Sequence, residues 1–246
     1  MKATDTATEN MTQIQRAYYA ETARQYDDMH VHANDEHSFA LRFMTSVLGF
    51  LGIRSILDIG CGTGRVLLKI KREMPDIRVI GVEPSAELRK VGHSNGLSES
   101  ELIDGDGMNL ALDDGCFDLV CMFGALHHIP QPSKAVSEML RVAGKAIFIS
   151  DSNNFGQGSG LSRLSKQVLN AVGIWPLVNL IKTKGKGYSI SEGDGLGYSY
   201  SVFNDYKQIR ERCESVHLLN TSDAGPNLYR TSTHVALLGT KTRPKQ

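Results

Sequence analysis

Three glycines at alternate positions, Gly60, Gly62 and Gly64, form a turn directly after the apolar run Ile56-Leu57-Asp58-Ile59 and directly before the helix-like segment RVLLKIKREM. A buried strand entering such a turn and continuing into a helix lets the backbone approach a ligand more closely than a side chain would allow. The spacing narrows the choice of ligand. A dinucleotide fingerprint requires G-x-G-x-x-G, but Arg65 occupies the third glycine position, and no G-K-[ST] follows to cradle a phosphate. Glu83, 19 residues beyond Gly64, ends the next apolar run, RVIGV. Its carboxylate can accept two hydrogen bonds from the hydroxyls of a ribose that carries no phosphate to repel it. His127, in GALHHIP, has an ordinary pKa near 6.5 and is the candidate general base. The polar stretch HVHANDEH holds His30, His32, Asp35, Glu36 and His37 but no helical H-x-x-x-H face, so it reads as a solvated connector, and no metal site is expected.

These residues need elements to position them. From Ser55 onward, short β-rich runs (SILDI, RVIGV, ELID, DLVCMF and KAIFIS) alternate with helix-like segments such as SAELRKVG and SKAVSEML. Alternation of this kind predicts a parallel sheet covered on both faces, an α/β class of Rossmann-like architecture. Residues 1–50 read as a helical N-terminal lid, 51–151 as the ligand-binding core, 152–203 as an inserted cap, and 204–246 as a helix followed by two strands. The cap contains an apolar stretch and the Gly/Tyr-rich run SISEGDGLGYSYS. The backbone entropy of Gly193, Gly195 and Gly197 suits a segment that orders only over a bound ligand, with Tyr188, Tyr198 and Tyr200 lining it.

Composition removes several function classes. The 246 residues carry 27 basic and 27 acidic side chains, a formal charge of zero, so no global field draws the chain to nucleic acid or to an anionic membrane. No apolar run is long enough to span a bilayer and the first ten residues are polar, which leads to the expectation of a cytoplasmic protein. Cys61, Cys116, Cys121 and Cys213 form no C-x-x-C pair and are expected to be small buried hydrophobes.

Taken together, LDIGCGTG, the acidic end of VIGVEPS, IDGDGMNL and DDGCFDLVCMFGALHHIPQP resemble the class I S-adenosylmethionine-dependent methyltransferases. Upstream, YYAETARQYDDMH is similar to the F-x-x-x-A-x-x-Y-D-x-M-N segment of their small-molecule, quinone-biosynthesis-like (type 11) branch. Where that branch often carries L-K-P-G-G, this chain has the shorter Val142-Ala143-Gly144-Lys145. The resemblance implies a terminal reversed strand and S-adenosylmethionine as cofactor. It implies cofactor contacts from Tyr26, Asp58, Gly60, Cys61, Gly62, Gly64, Glu83, Pro84, Asp106, Gly107, Met108 and Phe123, with Asp106 meeting the adenine and Tyr26 serving as a lid residue.

The reading is therefore a methyltransferase acting on a small-molecule acceptor, with O-methylation favoured over N- or C-methylation. Positioning and exclusion of water would supply much of the rate. The rivals are a nicotinamide-dependent oxidoreductase, which the glycine spacing opposes, and a non-catalytic S-adenosylmethionine-binding subunit. Neither nucleic acid nor a membrane span is expected, and a homodimer is left open.

Overall fold

The computed structural model describes residues 13–15, 17–191, 193–222 and 225–241. Among them, five parallel strands run in the order of the sequence segments singled out above: β1 (Ser55–Ile59), β2 (Arg78–Val82), β3 (Leu102–Ile103), β4 (Phe117–Phe123) and β5 (Ala143–Ser152). A separate hairpin, β6 (Tyr188–Ser191) and β7 (Gly195–Tyr198), precedes β8 (Ser215–Asn220) and β9 (His234–Thr240). The main sheet has the order β3-β2-β1-β4-β5-β9-β8, and β9 lies antiparallel to β5, as the resemblance implied.

The helices are α1 (Tyr26–His30), α2 (Glu36–Val47), α3 (Arg65–Glu73), α4 (Ala86–Ser94), α5 (Pro132–Val142), α6 (Gly160–Ala171), α7 (Trp175–Lys182) and α8 (Tyr206–Arg212). One face of the sheet is covered by α5, through Val136, Met139 and Leu140, together with Ile209 of α8. The opposite face takes Ala40, Leu41 and Met44 of α2 with Val66, Leu67 and Ile70 of α3. With both faces covered, the central strands are buried along nearly their whole length, which accounts for their continuous apolar runs.

The structure corrects two local expectations. HVHANDEH is not a solvated connector throughout: Asp35 accepts a hydrogen bond from the Ser38 amide and so caps α2, and Glu36 and His37 become half-buried residues of that helix's first turn. Cys121 and Cys213 are buried, but Cys61 and Cys116 are only half-buried. In the Gly/Tyr-rich run, Tyr188–Ser191 and Gly195–Tyr198 pair as a hairpin. Gly195, at φ +69°, lets the chain pass so close to the N-terminal helix (helical at 13–15 and 17–22) that a Cβ would stand 2.7 Å from Gln15 Oε1 and Tyr18 Cδ1. Gln15 Oε1 accepts a 2.6 Å hydrogen bond from the Leu196 amide in return.

Where β5 ends, Asn153 ties the insertion to the sheet. Its backbone bridges to Ser201, and its Oδ1 accepts a 2.8 Å bond from the Ser201 hydroxyl. Its fully buried Nδ2 lies 2.9–3.1 Å from the carbonyls of Leu228, Tyr229 and Ser232. Removing one side chain would leave several buried acceptors unmet. Asn153→Ala is expected to lower the unfolding free energy by about 2–4 kcal/mol, read as a reduced urea midpoint at unchanged slope.

Candidate active site

The glycine turn and the strand ends beside it build the first part of the site. Gly60, at φ +66°, packs so that a Cβ would sit 2.7 Å from Ala125 Cβ, bringing the turn against the segment that follows β4. Glu83, 4% exposed at the end of β2, accepts a 3.0 Å bond from the Gly62 amide at Oε2 and a 2.8 Å bond from the Ser85 amide at Oε1. The carboxylate thus serves the helix start and the glycine turn together. Asp106 Oδ1 accepts from the Met108 amide at 2.8 Å, closing a tight turn.

A cavity of about 120 Å³ opens between these groups. It brings together Tyr26, Gly60, Glu83, Pro84, Asp106, Gly107, Met108 and Phe123 of the expected cofactor set. Asp58 and Cys61 lie in a smaller adjoining space that also touches Tyr26 and Gly60. Gly62 and Gly64 line neither: Gly62 supplies its amide to Glu83, and Gly64, at φ +90°, is pressed against Leu97, so both shape the turn. Burial pushes the Asp58 carboxyl up to about 7, where it takes up charge readily if a cation arrives beside it. The donor and acceptor set, two carboxylates over a glycine turn with no phosphate-binding loop, fits an adenosine-type ligand.

A second, larger cavity of about 740 Å³ shares Tyr19, Tyr26, Phe123, Gly124 and His128 with the first. Its other walls come from the start of α2, from α7 and from the β6–β7 hairpin. Tyr188, Tyr198 and Tyr200 all line it, as expected; the Tyr200 hydroxyl also donates to Asp205 at 3.0 Å. Glu36, His37 and His234 place their ligand atoms within 4.8 Å of one another on its far wall, and the same holds for His127, His128 and Asp194.

His127 does not stand alone. Its Nδ1 lies 2.7 Å from Oδ1 of the fully buried Asp151, and its Nε2 lies 3.2 Å from Asp194 in the turn of the hairpin. Burial alone would lower its pKa, but the two carboxylates overcome burial and hold it at about 10. At neutral pH the ring is an imidazolium with both N–H groups donated, so in this arrangement it has no site for an incoming proton. Asp151 also accepts from the amides of Leu126 and Ser152, and with His127 beside it stays ionised despite burial. Sequence reasoning missed Asp151, although it directly follows the run KAIFIS at the carboxyl edge of a central strand, where ligands bind in open α/β sheets. It also missed Asp194, whose only local signal is its place between two glycines in E-G-D-G.

Residues 57–147 match the model of a family described as a methyltransferase domain. This segment of the chain is a methyltransferase domain. Over 101 residues the chain is 33% identical to ajmaline N-methyltransferase of Rauvolfia serpentina, a match covering 39% of this chain and 34% of that one. Over 89 residues it is 36% identical to demethylmenaquinone methyltransferase of Staphylococcus carnosus, covering 35% and 37%. The matches thus span about a third of each curated relative's length. Among solved structures, magnesium protoporphyrin IX methyltransferase of Synechocystis, determined with bound S-adenosylhomocysteine, shares the fold at a TM-score of 0.57 and 14% identity, with 94% of this chain and all of that one covered. A SAM-dependent methyltransferase of Thermotoga maritima gives 0.56 at 20% identity, with the same coverage.

The clamp on His127 has a measurable sign. Its folded pKa lies above the ordinary 6.5, so the stability that the ion pairs contribute is complete below pH 6.5 and is lost as pH rises through about 10. In a proton NMR titration the His127 ring resonance should show its midpoint near 10, and Asp194→Asn should move that midpoint down by more than about one unit. A wild-type midpoint near 6.5 would show that the clamp does not form in solution.

Proposed function

We propose that this chain transfers the methyl group of S-adenosylmethionine to a small-molecule acceptor held in the 740 Å³ cavity, with an oxygen acceptor favoured over nitrogen or carbon. The observation that carries the reading is the shared wall at Phe123 and Gly124: the adenosine-type cavity lies on one side of it and the larger, polar cavity on the other. The zero net charge and the enclosed cavity both favour a small molecule over nucleic acid. When bound, the cofactor supplies an electrophilic methyl group on sulfur.

The protein's own residues do the rest. Glu83 and Asp106 orient the cofactor's polar edge, and Met108 and Phe123 give its apolar faces a wall. The Tyr19 and Tyr26 rings, edge to face at 5.7 Å, cover the cavity and exclude water. At about 120 Å³ that cavity is well below the roughly 300 Å³ typical of ligand pockets, so entry of a nucleoside-sized molecule requires these rings to swing aside. His127 acts on the acceptor's proton. When an acceptor hydroxyl takes the place of Asp194 at Nε2, one of the two carboxylates that hold the ring charged is gone. For the ring to act as a base it first gives its Nε2 proton to Asp194, whose half-exposed carboxylate releases it to solvent; the neutral ring, held through Nδ1–H by Asp151, then takes the acceptor's proton at Nε2.

Calorimetry on the intact protein should show binding of S-adenosylmethionine and S-adenosylhomocysteine and no binding of NAD. Glu83→Ala should weaken the former by about 1.5–3 kcal/mol, the scale of charge-assisted hydrogen bonds. Equal or tighter NAD binding would reject the assignment. A Glu83→Ala variant with wild-type affinity would restrict that carboxylate to its backbone partners.

A further inference from the structure

The 12-residue helix α6 has no buried residue, although its sequence is amphipathic. Leu161, Leu164, Val168 and Val172 recur at helical spacing and form one apolar stripe, and Leu161 is 79% exposed. The next helix, α7, also exposes Leu177 and Ile181, one turn apart, the latter 70% exposed. Single exposed aliphatics are ordinary, but six on two successive helices, four of them at helical spacing, mark an interaction surface.

Its charge is as one-sided as its hydrophobicity. From Ser152 to Ser191 the sequence contains no Asp or Glu, while Arg163, Lys166, Lys182, Lys184 and Lys186 all fall within it. Lys166 is tied down by its contacts to the carbonyls of Asn154 and Gln157. Lys182, Lys184 and Lys186 are exposed, and among the described residues none of the three makes an ion pair. The zero net charge of the whole chain conceals this local cationic segment.

We propose that the α6–α7 segment docks on the surface of an anionic lipid bilayer, its aliphatic stripe among the acyl chains and its lysines at the headgroups. Aliphatic residues flanked by unopposed cations are the composition of an interfacial helix. A second copy of the chain fits less well, because a two-fold contact through this surface would set the same cations against one another with no acidic partner on the segment. Among the described residues no helix is long and apolar enough to cross a membrane, so the contact is peripheral. α7 gives it a use: Trp175, Asn179 and Lys182 line the larger cavity while Leu177 and Ile181 face outward. An amphiphilic acceptor could then pass from the lipid surface to the cavity without crossing water; this last step rests on the methyl-transfer reading, while the docking does not.

The test is co-sedimentation of the intact protein with vesicles of pure phosphatidylcholine, or of phosphatidylcholine and phosphatidylglycerol at about three to one, with added salt as a further variable. The expected result is binding at least about tenfold tighter to the anionic vesicles, weakening with salt. The double substitutions Leu161→Ser with Leu164→Ser, and Lys184→Glu with Lys186→Glu, should each reduce it by about tenfold or more. S-adenosylmethionine affinity measured on the same variants should be unchanged, which shows that they remain folded. Absence of sedimentation, or equal sedimentation of wild type and variants, would overturn the proposal. So would light scattering that shows a dimer which Leu161→Ser with Leu164→Ser dissociates, since a second copy would then cover the stripe. Vesicle binding retained by a protein that fails to bind S-adenosylmethionine would uphold the docking and reject the methyl-transfer reading.

Discussion

A single buried carboxylate holds together the parts of this molecule that line its two cavities. Asp151 has no exposed surface, and it stays charged because it accepts from the Leu126 and Ser152 amides and from His127. A buried charge with fewer partners would neutralise or destabilise the fold. Its interactions fix the short turn after β4, the ring of His127 and, through that ring, Asp194 in the hairpin of the insertion. The end of one strand thus sets the positions of a loop and a hairpin far apart in the sequence. The wall between the two cavities depends on that geometry, because Phe123 and Gly124 immediately precede the turn.

Gln15 makes the matching connection from the other side. Its Oε1 accepts from the Leu196 amide, and its Nε2 lies near His128 and the Asp194 carbonyl. The N-terminal helix, the hairpin and the loop after β4 therefore close over the site as one hydrogen-bonded unit. Tyr19, one of the two tyrosines that cover the smaller cavity, stands four residues from Gln15, so one short segment both lines that cavity and bonds to the hairpin.

How much of this was legible in the sequence depends on how local each signal is. The sheet could be read because its strands are buried on both faces and are written as unbroken apolar runs such as SILDI and DLVCMF. Glu83 could be read because the glycine turn and the end of the next strand stand at a fixed separation in this architecture. The clamp on His127 could not: its partners lie 24 and 67 positions away, and only the folded chain brings them together. Asn153 carried no pattern for the same reason, its partners lying 48 to 79 positions away. The connector HVHANDEH misled by composition, because the one residue that decides its structure is Asp35, whose side chain starts a helix in an otherwise polar run. The cationic, aliphatic character of the insertion was present in the sequence, but the whole-chain charge averaged it away.

The insertion leaves the sheet at Asn153 and returns at Ser201, and those two residues are bridged to each other. A segment whose two ends meet at one point can change length, secondary structure or surface chemistry without shifting any strand of the sheet beneath it. What still ties the insertion to the smaller cavity is Gln15, which lines that cavity and accepts from the Leu196 amide. On the methyl-transfer reading, an exchange of residues 154–200 between chains with the same sheet would carry substrate choice with it only if the new segment kept the contacts that Leu196 and Asp194 make to Gln15 and His127.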